Sequence, residues 1–147
     1  MDNYARKLVQ DFPKSPYASL AQFFIAQKQV AQQEYPEAVQ SLKWVQLHGS
    51  YLPFKYIAQL RMARLYLTLN QPPIAIEVLN PVPKGYEAQF YNVLGDAYAM
   101  EGQLLKSHQA YKQALAHMSD SSPLKQLVIM KMGDQPQVAV SHAKGKA

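Results

Sequence analysis

Three times along the chain, a small side chain on one helical stripe is followed twelve residues later by another on the next stripe. The couples are Ala26 and Ala38, Ala63 and Ala75, and Gly95 and Ser107. Two helices joined by a tight turn approach closely only where neither carries bulk at the crossing. Each couple therefore marks the contact point of a helical hairpin. The second members recur after 37 and then 32 residues. A period of that length points to a chain of similar hairpins, none able to bury its apolar stripe alone.

The rest of the pattern agrees, with helical spacing throughout and almost no strand-like alternation. Tyr4, Leu8 and Val9 line a first segment that stops at Phe12-Pro13. Ser15-Pro16 reads as an N-cap followed by proline at the first helical position, opening a run over 17–33. Tyr35-Pro36 reads as a short break, and Ala38, Leu42 and Val45 carry the next helix to His48-Gly49, where glycine is the expected C-terminal stop. A further helix runs from near Phe54 to Asn70. Pro72-Pro73 open a short one that ends at Asn80-Pro81-Val82-Pro83. The last elements are 86–100 and 104–117, split by Glu101-Gly102-Gln103, and a helix from Pro123 that fades at Met132-Gly133.

Laid on the tetratricopeptide template, the third pair matches at Tyr91, Leu94, Gly95, Tyr98, Gly102, Ser107, Tyr111 and Ala114. The middle pair supplies Met62, Ala63, Tyr66, Asn70, Ala75 and Leu79. The first supplies Ile25, Ala26, Gln29, Gln33, Ala38, Leu42 and Val45. The predicted fold is all-α, a tetratricopeptide-like right-handed superhelix of antiparallel helix pairs. It has about three repeats, with helices 3–12 and 123–132 covering the ends. Tyr66, Leu79, Tyr98 and Tyr111 are expected to fill the space between pairs, so truncating Tyr98 should cost about 3–5 kcal/mol. Residues 1–132 are read as the repeat domain. Residues 133–147 lack any apolar period and are read as a disordered tail.

Composition narrows the function. Of 147 residues, 48% are apolar and 17% charged, enough to build a core and too apolar for general disorder. With no cysteine, the chain has no disulfide, thiolate cluster or thiol nucleophile. The net charge is +5, yet only Arg6, Arg61 and Arg64 among the fifteen cations are arginine, and no cluster of the kind that reads nucleic acid is visible. No apolar run is long enough for a membrane span and no signal peptide opens at Met1, so the chain is expected to be soluble. Glycine-rich phosphate loops and metal-spaced clusters are also missing. His48, His108, His117 and His142 are scattered, and His48 and His117 fall near helix C-termini, where the dipole favours a cation. Asp96 and His108 lie in paired helices with no nucleophile beside them. No catalytic, cofactor or metal residues are predicted, and the expectation is a non-enzymatic protein.

A repeat array of this type offers its first helices as the wall of a concave groove. Counting within the repeats places Leu20, Phe23, Gln27 and Val30 there, then Ile57, Leu60, Arg64 and Thr68, then Gln89, Asn92, Asp96 and Met100. The wall is apolar at one end and polar at the other, with Arg64 alone in the middle. Phe23 and Gln27 stand where repeats that clamp a C-terminal carboxylate carry Lys and Asn. A protein segment with apolar anchors is the expected ligand. Arg64 charge reversal or Phe23→Ala is expected to weaken capture without loss of helicity.

The stretches YARKLVQDFPKSPYASLAQFFIAQ (4–27), YIAQLRMARLYLTLNQ (56–71) and FYNVLGDAYAMEGQLLKSHQAYKQAL (90–115) resemble the YfgM family over roughly residues 3–132. The most specific parts are Leu60-Arg61-Met62-Ala63-Arg64 and Leu94-Gly95-Asp96. The resemblance implies an ancillary subunit of the bacterial SecYEG translocon. Such a subunit has a short cytoplasmic segment, one membrane-spanning helix and a periplasmic tetratricopeptide domain, and works beside the chaperone PpiD on secreted proteins. The anchor is not in this sequence, which is accordingly expected to be the soluble portion, lying on the periplasmic side of the inner membrane. The run Phe12-Pro-Lys-Ser-Pro-Tyr17 also resembles turns in outer-membrane-assembly lipoproteins and cell-division-linked repeat proteins, the alternative reading. An enzyme or a nucleic-acid binder is the remote one.

Overall fold

A computed structural model describes residues 2–133, and the described residues hold eight helices and no strand. The tail reading, 133–147, begins one residue too early, since Gly133 still closes the last described helix, and its remaining residues, 134–147, lie outside the described residues. Backbone packing parts the chain into two compact units between Asn70 and Gln71, within the middle pair of the repeat pattern.

The first unit contains α1 (Asp2–Asp11), α2 (Pro16–Ala31), α3 (Tyr35–His48) and α4 (Leu52–Thr68), each packed on its neighbours along the chain. Ser15 caps α2 as its spacing implies, its Oγ accepting from the Tyr17 N–H at 3.2 Å, with Pro16 in the first turn. Ala26 and Ala38 are both buried, and Ser41 on α3 donates to Gln29 Oε1 on α2 at 2.7 Å. Phe23, Val39, Leu42, Val45, Ala58, Leu60 and Met62 fill the core.

Two local expectations change here. Tyr35 and Pro36 open α3 instead of interrupting it, because proline's missing N–H costs nothing in a first turn. Gly49 does cap α3, but its φ of −57° is open to any residue. What it supplies is space: a β-carbon there would lie 2.5 Å from the Val45 carbonyl oxygen and 3.3 Å from Ser19 Oγ.

The second unit contains α5 (Pro72–Val78), α6 (Glu87–Met100), α7 (Leu104–Ala116) and α8 (Pro123–Gly133), again packed in chain order. At the crossing of α6 and α7, Ser107 Oγ donates to the Gly95 carbonyl at 2.8 Å, so the small couple touches directly. The Tyr111 ring fills the place that a Gly95 side chain would take. Phe90, Leu79, Val93 and Val128 are the largest fully buried apolar side chains of this unit. Leu79 and Tyr111 are buried as expected, whereas Tyr66 and Tyr98 are only half-buried. The 3–5 kcal/mol assigned to Tyr98 therefore belongs to Tyr111.

The turn inside each helix pair recurs more faithfully than its sequence does. Gln33, Asn70 and Gly102 take left-handed backbone, with φ of 62°, 57° and 74°, each five residues before its small anchor Ala38, Ala75 or Ser107. In the first and third pairs the following residue closes the turn, Glu34 N–H to Gln29 O at 2.8 Å and Gln103 N–H to Tyr98 O at 2.9 Å. Glycine holds this conformation without cost, asparagine with little, and glutamine with strain of about 1 kcal/mol. Gln33→Gly is expected to raise stability by about 1 kcal/mol and Asn70→Gly by clearly less. Guanidinium titration of both variants checks the order, and equal or reversed effects would refute it.

Candidate protein-binding groove

The groove positions separate by their register within the repeat. Phe23, Leu60 and Asn92 hold equivalent places in the three repeats, and all three are buried. They belong to the interior edge of their helices, which corrects their assignment to an open wall. One turn further on, the equivalent trio Gln27, Arg64 and Asp96 lies at the surface, Gln27 and Arg64 exposed and Asp96 half-buried. Val30, Thr68, Gln89 and Met100 are exposed and Ile57 half-buried. Leu20 is exposed but turns elsewhere, lining an apolar cleft with Tyr4, Leu8, Tyr17 and Phe24 between α1 and α2.

Within the first unit, α2, α3 and α4 enclose a groove of about 340 Å³. Ala26, Leu42 and Leu65 form its apolar floor, and Gln27, Val30, Arg61 and Arg64 stand around it. The structure thus brings together Gln27 and Arg64, which are 37 residues apart, and adds Arg61. Arg64 is not alone. The Arg61 guanidinium lies 4.8 Å from the centroid of the Phe23 ring. Phe23 meets Phe54 edge to face at 5.8 Å, and Phe54 meets Tyr51 at 4.9 Å. The aromatics after Gly49 therefore staple the start of α4 to α2.

In the second unit the corresponding wall is engaged from within the chain. Lys131 on α8 donates to Asn92 Oδ1 at 3.1 Å and to Asp96 Oδ2 at 3.0 Å, forming an ion pair with Asp96. Tyr111 donates to Asp96 Oδ1 at 2.6 Å. Burial, and then the Asp96 carboxylate, push the Tyr111 hydroxyl well above its ordinary range. Local spacing gives no hint of this cluster, because Lys131 lies 39 residues from Asn92. At the polar end of the expected groove, Asn92 and Asp96 are thus taken up by Lys131 and Tyr111.

Two of the histidines meet backbone carbonyls. Nδ1 of His48 lies 3.2 Å from the Trp44 carbonyl and Nδ1 of His117 lies 2.9 Å from that of Gln113. Both rings sit at helix C-termini, where a donor meets orphan carbonyls. Among the described residues no three His, Asp or Glu side chains gather closely enough to hold a metal ion, and no helix is long and apolar enough to cross a membrane.

Helix pairs with small crossings and one repeated turn geometry define a repeat family, and residues 1–137 match the tetratricopeptide repeat-like domain. The chain belongs to that family. Tetratricopeptide repeat-like domains are protein-interaction scaffolds, whose stacked hairpins present extended binding surfaces. The chain is also similar to the general transcriptional corepressor ssn6 of Schizosaccharomyces pombe, 33% identical over 72 residues. That match takes in 46% of this chain and 6% of the corepressor, so the chain spans a small part of the length of the curated relative it matches.

Proposed function

We propose that residues 1–132 form a non-enzymatic module that holds protein segments in the first-unit groove. In this reading the module is the periplasmic domain of a YfgM-type ancillary subunit of the SecYEG translocon, acting beside PpiD on secreted proteins at the inner membrane. The groove itself carries the binding part of the proposal: an apolar floor of Ala26, Leu42 and Leu65 rimmed by Gln27, Arg61 and Arg64. An apolar floor supplies anchoring area, while arginine is enriched at interfaces because its flat fork makes several directed bonds. The translocon part is supported by the YfgM-like stretches at 4–27, 56–71 and 90–115.

A photocrosslinking residue in place of Gln27 tests both parts in inner-membrane vesicles carrying a secreted chain arrested in the translocon. Crosslinks to that chain, to SecY or to PpiD are expected from position 27 and not from exposed Lys43 on α3. Equal crosslinking from position 43 would place the binding face elsewhere. Groove crosslinks that include none of these proteins would leave the interaction module and remove the translocon.

A further inference from the structure

We propose that the first-unit groove selects peptide segments in which a carboxylate stands beside an apolar side chain, the acid held by Arg61 and Arg64 and the apolar group by the floor beneath them. The inference rests on the reading of this groove as a protein-binding site and adds the chemistry of what it accepts.

The first support is an unmet charge. Arg61 and Arg64 are three residues apart on α4, so their side chains are neighbours on the helix surface, where like charges repel. No carboxylate among the described residues pairs with either of them. Ion pairs among the described residues instead join Lys28 to Asp2, Lys125 to Asp120 and Lys131 to Asp96. Two guanidiniums on one rim present paired donors that match a carboxylate fork, and an acid between them turns repulsion into charge-assisted bonding.

A second support is that one of these cations is already in place. The Phe23 ring beneath Arg61 is buried and packed against Phe54, so it forms a fixed platform for the guanidinium. A cation ordered before the ligand arrives loses less freedom on binding.

The third support is the floor. Ala26 leaves room above Leu42 and Leu65, and the 340 Å³ space is open to an apolar side chain. A phosphate backbone makes no use of such a floor and asks for cations along its whole path, whereas here there are two. Gln27 adds an amide that both donates and accepts, suited to a peptide backbone. The charge of the surroundings points the same way. Residues 1–70 carry eight Lys and Arg against four Asp and Glu, while 71–133 carry five of each. An acidic segment is therefore steered toward the half that holds the groove.

Short fluorescein-labelled peptides test this, each with Leu in a Gly/Ser frame beside Asp, Asn or Lys, followed by anisotropy with the whole chain. The Asp peptide is expected to bind about tenfold more tightly than the Asn peptide, with the Lys peptide weaker still. Arg61→Gln and Arg64→Gln should each bring the Asp peptide close to the affinity of the Asn peptide, with the Asn peptide itself little changed. The Nε–Hε NMR signals of Arg61 and Arg64 should move with the Asp peptide and not with the Lys peptide, and this readout needs no variant. Equal binding of Asp and Asn peptides would overturn the acid preference while leaving Gln27 crosslinks, and the groove, intact. Failure of all three peptides to bind would overturn the proposal as well. An oligothymidylate that binds as tightly as the Asp peptide would replace a peptide ligand with a nucleic acid and also refute it.

Discussion

Truncating Tyr111 to alanine is expected to destabilise the second unit by about 3–5 kcal/mol, the cost of emptying a buried aromatic site. The ring is 3% exposed, its hydroxyl holds Asp96, and its Cδ1–Cε1 side lies against the bare backbone of Gly95. The same contact sets the price of changing Gly95. A methyl at position 95 meets the ring well inside contact distance. Gly95→Ala alone should therefore cost about 1–3 kcal/mol by overpacking, even though alanine favours a helix by about 1 kcal/mol. Once Tyr111 is alanine, the clash is gone and Gly95→Ala should stabilise the protein by about 1 kcal/mol. Guanidinium titrations of the two single variants and the double variant give the coupling, expected at about 2–4 kcal/mol. Additivity within about 0.5 kcal/mol would mean that the ring does not occupy this place.

Phe23 carries the second large effect, and the result differs from what its sequence position suggests. Read as a groove anchor, Phe23→Ala would spare the fold. As a 9%-exposed side chain clasped by Phe54 and covered by Arg61, it is expected to cost about 3–5 kcal/mol in a denaturant titration. A cost below about 1 kcal/mol would return Phe23 to the surface. Phe23→Leu separates packing from charge. It keeps most of the volume, so stability should fall by less than about 1.5 kcal/mol. It also removes the ring face under Arg61, so the tenfold preference for the Asp peptide should shrink by a factor of about 2 to 5.

These two residues show where sequence reading reaches its limit. The small couples and their helices are legible because close crossing leaves a signature at both contacting positions. Facing is harder. A helical stripe passing through Ile57 and Arg64 can run by Leu60 or by Arg61, since 3.6 residues per turn permits either step. The stripe through Leu60 runs into the core, and Phe23 and Asn92 at the equivalent places follow it inward. The signal for Arg61 is present: two of the chain's three arginines are three residues apart. The partner of buried Asn92, by contrast, is Lys131 on another helix, and no local pattern announces it. Gly49 carries a similar lesson. Its position at a helix end suggests a conformational role, while the constraint is the nearby Val45 carbonyl.

Because each helix within a unit packs chiefly on the one before or after it in sequence, little chain must be searched to make most of the native contacts. Low contact order of this kind goes with folding in microseconds to milliseconds. It also means that α1 to α4 can acquire their packing while the C-terminal half is still being synthesised. The arginine-rimmed groove can then form before α8 is synthesised.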